Sequence, residues 1–199
     1  MVKALIAGDI KTGGDMNREK PDKGKGTASK ITPDNLQLGI TNLELELESR
    51  ADVLAVAQAL ANQAERSLLL HTEDLEHAIY DQTAFLEAVS RLARSHKQAR
   101  IWILIQDARK LVQHGHRLIE LSRKLGSCVQ FRRPGPEYRN FHETFLLADD
   151  AGYLHRLSVN RYEGNANFND PGKTREWSKY FLEVWDRSEP DEEIRHLHL

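Results

Sequence analysis

The stretch Phe141-His142-Glu143-Thr144-Phe145-Leu146-Leu147-Ala148-Asp149 joins an apolar run to polar residues of chemical interest. It reads as a short buried strand with His142 at its mouth and Asp149 at its far end. Gly164-Asn165-Ala166-Asn167-Phe168, a glycine-led polar turn, begins fifteen residues after Asp149. An imidazole, a carboxylate and side-chain amides at such spacing offer a nucleophile or proton carrier together with hydrogen-bonding groups. Arg156 and Arg161 lie between the two phrases and could supply positive charge.

Other chemistry is thinly represented. His114-Gly115-His116 offers two imidazoles, but positions i and i+2 of a helix point about 200° apart and cannot chelate one ion together. His196-Leu197-His198 stands at the end of the sequence, where fraying is expected. With no Cys pair and no His-x-x-x-His, neither a metal nor a cofactor is expected. No Gly-x-Ser-x-Gly elbow supports a serine hydrolase, and Gly13-Gly14 lacks the Lys-Ser/Thr ending of a phosphate loop. The single cysteine, Cys128, excludes an internal disulfide and reads as a buried inert thiol in a reducing compartment.

Charge separates regions more than it marks the whole. The net charge of −2 gives no global pull toward nucleic acid or membrane. From Arg91 to Arg139, however, twelve basic residues face only Asp107, Glu120 and Glu137. A basic face of that kind could track a phosphate backbone, which makes nucleic acid a candidate partner. The stretch lacks the interleaved aromatics of single-strand binders. No apolar run approaches the roughly 18 residues of a membrane-spanning helix, and Met1–Gly8 is too short for a signal segment. A soluble cytoplasmic protein is expected.

The elements that must position these residues follow from periodicity. Leu43-Glu44-Leu45-Glu46-Leu47-Glu48 alternates as a half-buried strand does. Ser49-Arg50-Ala51-Asp52 then reads as a capping box with Asp for the usual Glu or Gln, opening a helix with Leu54, Val56, Ala57 and Leu60 toward the core. Ser67–His71 predicts a buried strand, and Asp81–Arg94 a helix with Phe85, Leu86, Val89 and Leu92 on one stripe. Arg100–Gln106 is apolar on both faces, as a central parallel strand requires. A helix from Ala108 to Leu125, with Asp107 as N-cap and Gly126 as stop, leads to a strand over 127–132. Thr144–Ala148 and Tyr153–Val159 form a hairpin across Asp150-Ala151-Gly152. Thr174–Arg187 carries Trp177, Tyr180, Phe181, Val184 and Trp185 at helical spacing. The order predicts an α/β sandwich, a mixed sheet covered by helices, over residues 42–188. Residues 1–41, rich in Gly, Lys and Pro without a period, predict a disordered tail in which Met16 offers a second start. Residues 189–199 form an acidic, His-containing C-terminal tail.

His142-x-Thr144, four residues, Asp149 and then Gly164-Asn165-x-Asn167 resembles the signature of the phospholipase D superfamily, His-x-Lys, four residues, Asp, followed by Gly-Ser/Gly/Thr-x-Asn. The resemblance implies a phospholipase D-like fold, with His142 as nucleophile, Asp149 orienting a His partner, and Asn167 adding a hydrogen bond, while Thr144, Gly164, Asn165, Arg156 and Arg161 contact the phosphate. The sequence departs from the signature in three ways. Thr144 stands where Lys would neutralise phosphate, Asn165 replaces the small or hydroxyl residue, and only one copy of the motif is present, so a full site requires a two-fold homodimer. Glu163-Gly164-Asn165-Ala166-Asn167-Phe168-Asn169-Asp170-Pro171 and His71-Thr72-Glu73-Asp74 further resemble an uncharacterised bacterial domain found alone or behind an acetyltransferase domain. The expectation is a degenerate, non-catalytic binding or accessory module with an acetyltransferase as partner. The alternatives are a homodimeric phosphodiester hydrolase or nuclease acting through His142, and a nucleic-acid-binding protein using Arg91–Arg139.

Overall fold

The computed structural model describes residues 3–4, 32–138, 140–190 and 194. One mixed sheet holds nine strands: β1 (Lys3–Ala4), β2 (Leu45–Leu47), β3 (Ser67–Thr72), β4 (Arg100–Ile105), β5 (Val129–Arg133), β6 (Thr144–Ala148), β7 (Gly152–Arg156), β8 (Gly164–Asn167) and β9 (Glu189–Pro190). Their order is β1-β2-β8-β7-β6-β3-β4-β5-β9. β3, β4 and β5 run parallel, and the other pairings are antiparallel. The helices are α1 (Arg50–Gln63), α2 (His77–Tyr80), α3 (Thr83–Ser95), α4 (Arg109–His114), α5 (Arg117–Lys124) and α6 (Pro171–Asp186).

Strand alternation divides the core between two faces. Leu68, Leu70, Ile101, Ile103, Leu146 and Leu154 pack with residues of α1, α3 and α5. On the other face, Leu69, Leu104, Phe145, Leu147 and Tyr153 pack with Phe181, Val184 and Trp185 of α6. The central strands are therefore apolar on both sides, which is why β3, β4 and β6 show no polar alternation. Cys128 is buried and free. No described helix is long and apolar enough to cross a membrane.

Local signals explain most boundaries. Ser49 Oγ accepts the Asp52 N–H and Asp52 Oδ2 accepts the Ser49 N–H, a complete capping box at α1. Two expectations need correction. The helix predicted over 108–125 is divided, because Gly115 turns to φ 72° and ends α4 before His116 caps α5. The Gly164–Asn167 turn is strand β8, and a Cβ on Gly164 would run into the His155 carbonyl and lie 2.7 Å from Arg156 Cγ. Glycine there permits close strand pairing.

The domain also begins earlier than residue 42. The Leu38 N–H donates to Gln63 Oε1 (2.8 Å), Gln63 Nε2 to the Leu36 carbonyl (2.9 Å), and the Gly39 N–H to the Phe168 carbonyl (2.8 Å). Leu36 is buried. Thus residues 36–40 are hydrogen-bonded to the domain, and Lys3–Ala4 pairs with β2. The rest of the predicted disordered tail lies outside the described residues. At the other terminus β9 pairs with β5 and Ile194 is buried. His196 and His198 lie outside the described residues.

Candidate functional site

The carboxyl ends of β3 and β4 meet the start of β6, and this is where His142 stands. The Gln106 and Asp107 N–H groups donate to the Thr72 and Glu73 carbonyls (3.2 and 2.8 Å), which ties the two loops together. Gln106 Nε2 donates to the Phe141 carbonyl and fixes the approach to β6. His142 itself is 60% exposed, with Nδ1 3.6 Å from Glu73 Oε2. Thr144, two residues on, is fully buried and donates Oγ1–H to the His71 carbonyl (2.8 Å). His71 Nδ1 lies 2.9 Å from the Glu143 carbonyl, an acceptor, so that nitrogen carries the ring proton. Burial pulls the His71 pKa down to about 4, and the ring stays neutral. Its Nε2 is buried without a hydrogen-bond partner among the described residues. Glu143 Oε2 pairs with His155 Nε2 at 2.6 Å, and the His155 ring stacks on Trp177 at 4.8 Å.

The remaining expected residues are not gathered at this point. Asp149 stands at the opposite end of β6, roughly 23 Å along an extended chain at about 3.3 Å per residue. Its carboxylate accepts the N–H groups of Glu65, Arg66 and Ser67 (2.9, 2.7 and 2.8 Å), and its own backbone is left-handed at φ 50°. Asn167 pairs with Tyr153, which in turn faces Leu147, so it belongs to that same end. It is buried, donating to Asn42 Oδ1 and accepting the Asn169 N–H, both at 2.9 Å. Asn165 donates to Glu44 Oε1 (2.9 Å). Arg156 is the cross-strand neighbour of Thr144 and Gly164, but its guanidinium is fully buried against the Glu76 carboxylate and the Arg161 carbonyl. The Arg161 side chain is exposed.

The hairpin register supplies residues that motif spacing missed. Thr144↔Arg156 and Phe145↔His155 pairing sets His155 on the face of His71 and places the exit of β7 just past the level of Thr144. That exit reads Leu157-Ser158-Val159-Asn160, and Asn160 N–H donates to Ser158 Oγ (3.2 Å). The Asp-Ala-Gly turn already implied this register, and counting back from it would have found both His155 and Ser158.

The profile of the family described as Domain of unknown function (DUF7931) matches residues 49–197. The chain belongs to the DUF7931 family. None of the curated proteins matches the sequence. Among solved structures, TrmBL2, an archaeal chromatin protein described as showing a novel mode of DNA binding, aligns with a TM-score of 0.55 at 15% identity, over 74% of this chain and 53% of that one. Phosphatidylserine synthase from Haemophilus influenzae Rd KW20 aligns at 0.54 and 12% identity, over 80% and 42%. NucT from Helicobacter pylori aligns at 0.52 and 11%, over 71% and 92%. The chain thus spans about half the length of the chromatin protein it matches. These likenesses show the fold, and the DUF7931 domain has the phospholipase D-like α/β architecture.

The basic residues of the DUF7931 domain are dispersed over several elements. Arg91 donates to the Ala61 and Asn62 carbonyls at the end of α1 (3.2 and 2.6 Å), Arg109 pairs with Asp107 (2.7 Å), and Arg117 with Asp81 (2.8 Å). Arg132 donates to the Trp185 carbonyl (2.8 Å) and lies over the Trp185 ring. His116, which the sequence paired with His114, meets His77 and Asp81 instead, with ligand atoms within 4.8 Å of one another. The Leu118 N–H donates to His116 Nδ1 (3.1 Å), so the proton of the neutral ring sits on Nε2 and no lone pair is left there for an ion. Arg117 already holds Asp81. The Arg117–Asp81 bond, with the His116 ring resting against that of His77 at 4.8 Å, joins the end of α2 to α5 as a clasp.

Proposed function

We propose that the domain is a non-catalytic, phospholipase D-like binding module. The observation that carries this reading is the state of position 144. Where the superfamily signature has a phosphate-binding Lys, Thr144 is buried and bonded to the His71 carbonyl. The adjacent cation, Arg156, is neutralised by Glu76. Loss of one preorganised electrostatic donor costs about 10²–10³ in rate. Glu73 beside His142 acts in the same direction, since a phosphate oxygen about 4 Å from a carboxylate meets about 4 kcal/mol of repulsion at an effective dielectric near 20.

Turnover of bis(p-nitrophenyl) phosphate by the full chain tests the reading. Hydrolysis at the buffer rate, unchanged in His142→Ala, is expected. Turnover that disappears in that variant would establish the hydrolase alternative and, with it, the need for a homodimer. The accessory role beside an acetyltransferase rests on association, the resemblance to domains that follow acetyltransferases. Affinity capture from the native host should return an acetyltransferase, and its absence from repeated captures would remove that part of the proposal.

A further inference from the structure

At the His142 end the His71 ring leaves an acceptor unpartnered and the half-exposed charged groups are carboxylates, while the buried Arg156, whose Nε–H also lacks a partner among the described residues, is held by Glu76. Glu73 and Glu143 keep side-chain exposures of 38% and 34%. His71 is wholly buried, and with Nδ1–H given to the Glu143 carbonyl its Nε2 lone pair has no donor among the described residues. Interiors seldom leave an acceptor in that condition. Three half-buried rings stand over this corner. Phe141 meets the His71 ring edge-on at 5.0 Å and Tyr180 meets it at 6.2 Å, while Trp177 lies 6.3 Å from Phe141. Aromatic faces attract cations through their quadrupole. A lone acceptor, carboxylates and π faces all favour a group that is positive and rich in N–H donors. A phosphate ligand would require the opposite of each.

We propose that this mouth binds a primary ammonium group, which donates N–H to His71 Nε2 and to Glu143 and rests against Phe141, Trp177 and Tyr180, with Glu73 at the rim. The inference rests on the binding-module reading and adds the chemistry of the ligand. A free amine and a lysine side chain carry the same group, so the shared chemistry is what the site recognises.

The full chain is titrated with propylammonium, with Nα-acetyl-lysine methylamide, and with propanol as the uncharged isostere, following Trp fluorescence and the ¹⁵N resonance of His71 Nε2. Saturable millimolar binding of at least one ammonium probe is expected, with no saturation by propanol. The tighter of the two ammonium probes identifies the source of the group. The Nε2 resonance should move from that of an unbonded lone pair to that of a hydrogen-bonded one. Glu143→Gln keeps the backbone carbonyl and the side-chain volume and should weaken binding about tenfold. Absence of saturation, equal binding of propanol, an unmoved Nε2 resonance, or unchanged affinity in Glu143→Gln would each overturn the inference. Those failures leave the non-catalytic reading standing, whereas His142-dependent phosphodiester turnover would remove that reading without touching the amine titration.

Discussion

The two ends of β6 carry the two outer residues of one sequence motif, and they are built on different terms. At the Asp149 end a carboxylate gathers three backbone N–H groups from the loop entering β3. It satisfies donors that would otherwise be stranded and so fixes where the neighbouring strand β3 begins. At the His142 end the exposed imidazole touches little beyond Glu73, while the polar residues behind it are bonded to one another. Asp149 supports the fold directly, and His142 is a surface group above a closed polar layer.

Mutations can break this contrast, beginning with the largest effect. Glu76→Ala leaves the Arg156 guanidinium buried and unpaired behind Thr144, and unfolding in urea should show a loss of about 3–5 kcal/mol. A loss below about 1 kcal/mol would mean that Arg156 is free to turn outward. Acid attacks the same end through His71, and the α2–α5 clasp through His116. Burial holds both imidazoles neutral, at about 4 against an ordinary value near 6.5. The unfolded chain then takes up these protons first. Stability should fall as the pH drops from about 6.5 toward 4, by about 3 kcal/mol per imidazole, and level off below. A thermal-melt series across that range checks the sign and the window.

At the other end of the strand, Asp149→Ala removes the acceptor for three N–H groups and should cost about 2 kcal/mol, less than the sum of three charge-assisted bonds because the site is partly exposed. Asp149→Asn should recover part of that, since Asn keeps one oxygen and tolerates left-handed backbone. His142→Ala marks the smallest expected change, within about 0.5 kcal/mol by chemical denaturation. If His142→Ala proved as costly as Asp149→Ala, the distinction between the two ends would fail.

Much of the frame was legible without coordinates. The β-α order, the Ser49 cap, the stripe of α3 and the Asp-Ala-Gly hairpin are local signals that the tertiary structure did not need to override. Gly164 misled for a physical reason. Glycine is required both where a turn needs a positive φ and where a neighbouring strand comes too close for a Cβ, and the two look alike in sequence. Gly115 was the reverse case, a helix break hidden inside an apolar period. Arg156 could be seen as a nearby cation, but not that Glu76, eighty residues earlier, would neutralise it.

The sequence by itself determined that His142 and Asp149 occupy opposite ends of one buried strand, because seven residues of extended chain leave no other arrangement. Only the tertiary structure decided what surrounds each. The strand register set His71 and His155 on either side of Phe145, the β3 loop brought Glu73 to the imidazole, and α6 laid Trp177 and Tyr180 over the corner. Those neighbours come from distant parts of the chain, and Glu73 among them gives the His142 end its negative charge.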